Sequence, residues 1–392
     1  MKKILIVNQH YMTGGIKKSL SDLLPILQER YDVRVMFLCG DTIEFEKMFP
    51  GVLIKSPFLL ATFLSPIEEI KKLSYPHIRF IIKIIFTLLA KLFGNENIID
   101  FIIAMMKKIG SYDCAISYSH DNWGNKKMFF GGANRIVEKK VDAKQKIAWI
   151  HGEPRTNGLN AVRLNKTYKR FDTIVTVSEA CKKQFDEISQ GKFECIAISN
   201  LHSVDKIKIL ANEQIKERKN DIFQIVTVGR MSGMAKRPDK INEVARLLKK
   251  HGVKFNWWVV GEGSERLCCI EKCLKYGLEK EITYLGEKKN PYPYMKNADL
   301  FVLVSDSESS SIVLNESLII GTPLVSTDFE AAKETVIMNK NGLICGKEPD
   351  KISAAIEYCY KNRECLKNFK DYISCHSVNN IKQISKIYAL IG

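Results

Sequence analysis

Residues 299–328 read Asp299-Leu-Phe-Val-Leu-Val-Ser305-Asp-Ser-Glu308-Ser-Ser-Ser-Ile312-Val-Leu-Asn-Glu316-Ser-Leu-Ile-Ile-Gly321-Thr-Pro323-Leu-Val-Ser-Thr-Asp328. The apolar run at 300–304 has the length and continuity of a strand buried on both faces. A polar loop carrying Glu308 follows, and then a helix that begins near Ser310 or Ser311 and carries Glu316. Gly321-Thr-Pro323 stops that helix, and 323–325 starts another strand. In an open α/β sheet, ligands bind beyond the carboxyl ends of strands, which is where Glu308 falls. The amino end of the following helix offers unbonded N–H groups to an anion, and the two carboxylates can accept hydrogen bonds from a ligand's hydroxyls.

Working outward, the same alternation recurs on both sides. Strand candidates in the first half are 3–7, 33–38, 114–118, 146–150, 173–177 and 195–198. Thr13-Gly14-Gly15 makes a glycine turn between the first of these and a helix that repeats Ile16, Leu20, Leu23, Leu24 and Leu27. Residues 210–220 are polar and poor in apolar periodicity, and serve as the connection. A second series follows at 224–228, 255–260, 282–285, 300–304 and 323–325. Strand–helix alternation implies parallel sheets covered on both faces. The expected fold is therefore α/β, with two Rossmann-like domains facing each other across a cleft. The expected bounds are 1–205, 206–375 and a terminal helix within 376–392 that returns to the first domain.

The composition excludes disorder and fibrous structure: of 392 residues, 45% are apolar and 27% charged. Lys and Arg number 60 against 44 Asp and Glu, a net charge of +16. The excess is larger in the first 200 residues, with 30 basic and 20 acidic side chains, than in the rest, with 30 and 24. Such a balance attracts phosphates, an anionic membrane surface or nucleic acid. The eleven scattered cysteines form no Cys-x-x-Cys pair and read as reduced thiols rather than disulfides or a zinc site. No secretory signal opens the chain, and no apolar run reaches the length of a spanning helix. Residues 78–93 are nearly all apolar, with Arg79, Lys83, Thr87 and Lys91 on one helical stripe. Together with 101–108, they make 78–108 a candidate interfacial membrane segment. The competing reading is a buried helix whose Lys stems reach the surface.

Glu308 and Glu316, separated by seven residues and followed by Gly321-Thr322-Pro323 and Asp328, resemble the signature of the retaining glycosyltransferases of family 4, the group 1 enzymes of the GT-B fold. Other segments match in order: Gly14-Gly15, Trp149-Ile150-His151-Gly152, Val177-Ser178-Glu179, Asn200, Val228-Gly229-Arg230, Lys236-Arg237-Pro238-Asp239 and Val259-Val260-Gly261-Glu262-Gly263. Two features depart from the pattern. Ser309-Ser310-Ser311 stand where a glycine usually follows the first Glu. Lys236 lies one residue further from Arg230 than usual, with Arg237 in place of the usual Gly.

The resemblance implies transfer of a sugar, with retention, from a nucleotide-diphosphate sugar, most commonly a UDP-sugar, to a saccharide or lipid-linked acceptor in surface-polysaccharide synthesis. Arg230 and Lys236 would stabilise the diphosphate, with Arg237 competing for the role. Glu308 would orient the sugar and Glu316 the ribose. Gly14, Gly15, Gly261, Gly263, Ser309, Ser310, Ser311 and Ile312 would approach the donor through their backbone. His151, or alternatively His120, would contact the sugar. No metal or cofactor is expected. The implied setting is cytoplasmic, at the inner face of the membrane, without nucleic acid. The rival readings are a GT-B sugar-nucleotide epimerase and a non-catalytic basic module.

Overall fold

A computed structural model describes residues 1–12, 14–121, 131–215 and 222–392. Thr13 and the 216–220 part of the expected connection lie outside the described residues. The chain divides into two compact units, Met1–Leu201 with Lys382–Gly392, and His202–Ile381.

The amino-terminal unit is built on seven parallel strands: β1 (Lys3–Asn8), β2 (Asp32–Phe37), β3 (Leu53–Ile54), β4 (Gly110–Ser117), β5 (Val141–Ile150), β6 (Thr173–Thr176) and β7 (Cys195–Ala197), in the order β3-β2-β1-β4-β5-β6-β7. The order reverses between β1 and β4. The loops leaving those two strands therefore part to form a crevice at their carboxyl ends. Ile4 to Asn8 are all buried, as a central parallel strand requires. The last helix, Ile381–Ile391, buries Ile387 and Ile391 in this unit's core. Lys2 Nζ donates to Ile391 O at 3.1 Å, and Gln145 Nε2 to Leu390 O at 3.0 Å.

The carboxy-terminal unit has six parallel strands: β8 (Phe223–Val228), β9 (Phe255–Val260), β10 (Ile282–Gly286), β11 (Leu300–Leu303), β12 (Leu324–Thr327) and β13 (Gly342–Cys345). Their order is β10-β9-β8-β11-β12-β13. The reversal point here lies between β8 and β11. Adjacent Trp257 and Trp258 on β9 point to opposite faces and are both fully buried, one in each of the two layers of core. Trp257 Nε1 donates to Thr227 Oγ1 at 3.0 Å, and Thr227 Oγ1 donates to Val302 O at 2.6 Å. A chain of satisfied polar groups thus runs β9–β8–β11 beneath the switch point.

The unit boundary falls four residues before the expected one. His202 N donates to Asn380 Oδ1 at 3.1 Å and Asn380 Nδ2 to His202 O at 2.7 Å, which clamps chain entry to chain exit. The helix Val204–Leu210 then buries Ile207 in the second unit's core.

The helix Pro76–Phe93 turns most of its cationic stripe inward, unlike a buried helix whose Lys stems reach the surface. Arg79 is buried and donates to Ser74 O at 2.8 Å and to Thr62 Oγ1 at 2.6 Å, and Lys83 Nζ donates to Phe63 O. Two of the stripe's three cations thus face the protein, where they bond to the helix Phe58–Leu64 and its approach. Ile78, Ile81, Ile85, Leu88 and Leu92 face outward instead, with Leu92 77% exposed. Among the described residues no helix is long and apolar enough to cross a membrane. The eleven cysteines are unpaired, and burial pushes the thiols of Cys39, Cys114, Cys195 and Cys359 up to about 12, so they act as small hydrophobes.

Candidate functional site

In the carboxy-terminal unit, the loop after β8 carries Arg230, Lys236 and Arg237, and the loop after β11 carries Asp306, Glu308 and the serines. The two loops are neighbours because β8 and β11 are. Lys236 Nζ stands 2.8 Å from Glu308 Oε1, and Ser305 Oγ donates to the same oxygen at 2.8 Å. The Glu308 side chain is only 7% exposed, so its carboxylate is held by two donors in a largely dry pocket. Arg230 is exposed and makes no ion pair with a described residue. An exposed cation on the same loop as a paired one is a natural place for a dianionic ligand.

Arg237 is not free in the same way. Its guanidinium bonds Asp239 at 2.9 Å and Asp306 at 2.8 Å, and its backbone is left-handed at φ 48°. Asp239 foremost, with Asp306, holds the guanidinium well above its usual value. Lys240, whose side chain is 5% exposed, pairs with the other Asp306 oxygen, and Asp306 N donates to Ala235 O at 2.7 Å. Burial raises the Asp306 carboxyl, but the bonds from Lys240 and Arg237 prevail and hold it below the usual carboxylate range. Of the two competing cations, Arg237 ties the loops together and Lys236 reaches Glu308.

The next loop over, after β9, is locked to this one by glycines. A Cβ on Gly261 would lie 1.8 Å from Gly229 O, and one on Gly263 2.2 Å from Met231 O. The lack of side chains lets the two strand-end loops touch and exchange Gly229 N→Val260 O at 3.0 Å and Met231 N→Glu262 O at 2.8 Å. The helix Ile312–Ile320 begins at Ser311, whose buried Oγ has no hydrogen bond to a described residue. Ser309 and Ser310 are half-buried in the approach to it. One turn along, Glu316 is buried and accepts from Tyr292 Oη at 2.9 Å. It is therefore a core-side carboxylate with a fixed partner, not a solvated one.

In the amino-terminal unit, Gly14 caps the helix Gly15–Gln28 with φ 145°, directly after β1. His120 follows β4 and His151 follows β5. They are brought together, since a Cβ on the intervening Gly152 would lie 2.7 Å from His120 Nε2. Burial lowers His120 to about 4, and burial with the neighbouring His120 lowers His151 to about 3, so both imidazoles are neutral near pH 7. Tyr118 meets the His151 ring edge-on at 4.4 Å, and Trp149 stacks on it at 6.3 Å. Ser19 Oγ, 2.6 Å from Tyr118 Oη, donates to Asn200 Oδ1 at 2.6 Å, which joins the Gly15–Gln28 helix to the ends of β4 and β7.

Asp306, Lys240, Ser305, Tyr292 and Tyr118 had no assigned role on sequence grounds. Asp306 alone carried a signal, as an acid at a strand end that also bears cations. The others depend on contacts between segments distant in sequence.

Residues 208–374 match the family described as glycosyl transferases group 1. An uncharacterized glycosyltransferase of Methanocaldococcus jannaschii is 23% identical over 203 residues, 49% of this chain and 50% of that protein. The Campylobacter jejuni N-acetylgalactosamine-N,N'-diacetylbacillosaminyl-diphospho-undecaprenol 4-alpha-N-acetylgalactosaminyltransferase is 24% identical over 352 residues, 88% and 86% of the two chains. The first curated relatives are matched over about half their own length. The crystal structure of Anabaena Alr3699/HepE with UDP and glucose superimposes with a TM-score of 0.67, covering 99% of each chain at 14% identity. The two Rossmann-like units thus define a GT-B fold. Through residues 208–374, which lie within its carboxy-terminal unit, the chain is similar to the glycosyl transferases group 1 family.

Proposed function

We propose that the protein is a retaining glycosyltransferase that uses a nucleotide-diphosphate sugar, a UDP-sugar above all, and a lipid-linked or saccharide acceptor in bacterial surface-polysaccharide synthesis. The observation that carries this reading is the Lys236–Glu308 pair at the β8/β11 switch point, with exposed Arg230 on the same loop as Lys236. In the reaction, the bond from the sugar's anomeric carbon to the diphosphate breaks and one to the acceptor oxygen forms. Negative charge builds on the leaving diphosphate. Arg230 can grip it as a fork and Lys236 as a point charge, both already in place before the reaction. Binding of the diphosphate draws Lys236 from Glu308, whose freed carboxylate then accepts from the sugar hydroxyls while Ser305 keeps it aimed. Glu316, held by Tyr292, serves the ribose hydroxyls. The neutral His151 and His120 are assigned to the sugar, as acceptors or donors of hydrogen bonds rather than as cations. No step is routed through a metal.

UDP and glucose in the HepE structure support a UDP-sugar donor, and the diphospho-undecaprenol named in the Campylobacter relative supports a lipid-linked acceptor. The outward apolar face of Pro76–Phe93 supports a peripheral position on the cytoplasmic face of a membrane. The test is a panel of nucleotide sugars scored by melting shift, followed by turnover with and without acceptor. One donor should stabilise the wild type and fail to stabilise Glu316→Ala. Conversion of that donor to another nucleotide sugar without acceptor would replace the reading with an epimerase.

A further inference from the structure

A second site lies in the amino-terminal unit, away from the chemistry above. Between the helices Phe58–Leu64 and Asn95–Met105, part of the sheet near its β3 edge is left open as a cavity of about 440 Å³. Its floor is Met36 and Ile54, register partners on β2 and β3. Phe58 lines one side, and Ile102 and Met106 line the other. Only two charged side chains line it, Lys55 and Lys107. Both are exposed and have no ion-pair partner among the described residues. The volume is roughly three times the ~150 Å³ that accommodates a benzene in an apolar cavity, enough for a hydrocarbon chain.

The cavity reaches the helix Pro76–Phe93 through its inner face: Phe58, which lines the cavity, lies 4.0 Å under the Arg79 guanidinium. Exposed Phe101 and Met105 continue the apolar surface along the next helix. Lys91, Lys107 and Lys108 edge this surface, all exposed and with no ion-pair partner among the described residues. The acids of the neighbouring helix, Glu96 and Asp100, are engaged by Arg135, Lys139 and Lys166. What meets this surface must be apolar, extended and edged with negative charge.

We propose that the cavity takes one acyl chain of an anionic bilayer phospholipid, whose phosphate sits between Lys55 and Lys107 while the Pro76–Phe93 face rests on the same leaflet. The source of the lipid rests on the membrane reading above; the cavity and its cations do not. The site makes the protein sensitive to lipid charge, because a chain without an anionic head leaves both lysines unmatched.

The test uses the full chain and alkyl phosphates below their micellar concentrations. Decyl phosphate should bind once and saturably. Octyl phosphate should bind about fifteenfold more weakly, since each of the two missing methylenes contributes about 0.8 kcal/mol, roughly fourfold in affinity. Decyl maltoside and inorganic phosphate alone should bind at least tenfold more weakly. Met106→Trp, at a half-buried position, should fill the cavity and abolish decyl phosphate binding, with Ile54→Trp as a second filler if the first melts early. Unchanged binding in a folded filler variant, or equal binding of the maltoside, overturns the proposal. Separately, Ile81→Glu/Ile85→Glu should release the protein from phosphatidylglycerol vesicles while decyl phosphate still binds. Retained vesicle binding would remove the Pro76–Phe93 face from the membrane contact and leave the cavity result standing. Phosphatidylglycerol vesicles should also slow amide exchange at 106–109; protection by a polyprenyl phosphate alone would overturn the assignment to a bilayer lipid.

Discussion

Asp306→Ala isolates what holds the two loops of the carboxy-terminal site together. Asp306 is the shared anion of Arg237 and Lys240, and it faces both from the first turn after β11. Removing it leaves the Lys240 ammonium, 5% exposed, without its counter-charge. Breaking a fully buried pair by deleting one partner costs ~3–5 kcal/mol. Because Asp306 retains 30% exposure, solvent screens part of this, and about 2 kcal/mol is the expected loss. For a unit of this size that lowers the melting temperature by about 4–8 °C. The loss should be relieved by Lys240→Met, which removes the stranded charge and keeps the stem's packing. The sign of the pH dependence follows from the lowered Asp306 carboxyl. Its contribution is complete above the ordinary carboxylate value, 3.8, and fades as the pH falls through the lower folded value. The assay is denaturant unfolding of wild type, both single variants and the double variant at pH 7, repeated near pH 3. A double variant as unstable as the sum of the singles would refute the argument, because the stranded charge would then not be the cause. Donor affinity should fall with Asp306→Ala as well, since the same carboxylate sets how the Lys236 loop meets Glu308.

Two further outcomes can be read from stability alone. Gly261→Ala should cost about 3 kcal/mol, from overpacking against Gly229 O and a disfavoured backbone at φ 150°; Gly277→Ala, whose Cβ meets nothing at φ 62°, should cost about 1 kcal/mol by backbone strain alone in the same urea titration. The buried histidines should make the amino-terminal unit acid-sensitive. Their folded values of about 4 and about 3 lie below the ordinary 6.5, so the unfolded chain binds protons first. Stability is complete above pH 6.5 and falls on acidification by up to about 1.4 kcal/mol per pH unit for each His. His151→Gln should flatten that slope in pH-dependent unfolding, and an unchanged slope would remove His151 from the account.

The parallel architecture was legible because its information is local. Apolar runs such as Ile4–Val7 and 300–304, separated by helical periods, can be satisfied only between covering helices. The ends of those runs then mark where ligands gather, which is why Arg230, Lys236 and Glu308 were found together. One edge of each sheet was not legible. β3 has two residues and β13 four, and neither stands out as a buried apolar run. Which cation does what was also beyond the sequence: Lys236 and Arg237 are adjacent, and only the position of Asp306 on another strand's loop separates a ligand-facing charge from a structural one.

The helix Pro76–Phe93 shows the limit of periodicity most plainly. A stripe recurring every four residues says that a helix has two faces, and composition says that one is cationic and the other apolar. Neither says which face turns inward. Ordinary burial would put the isoleucines inside. Here Arg79 and Lys83 turn inward because Phe58, Thr62, Phe63 and Ser74 offer them oxygens, and the guanidinium also stacks on Phe58. The inward polar groups are thereby satisfied, while the outward apolar side chains remain in water at roughly 1 kcal/mol or more each relative to burial. An arrangement that satisfies the costly polar groups and leaves a continuous apolar face uncovered is stable in isolation only because the inner bonds hold it. Contact with a lipid, as proposed above, would relieve its unfavourable surface energy. Reversing the helix by Arg79→Leu/Lys83→Leu would therefore stabilise nothing: it would strand the carbonyl of Phe63 while leaving the outer face as it is.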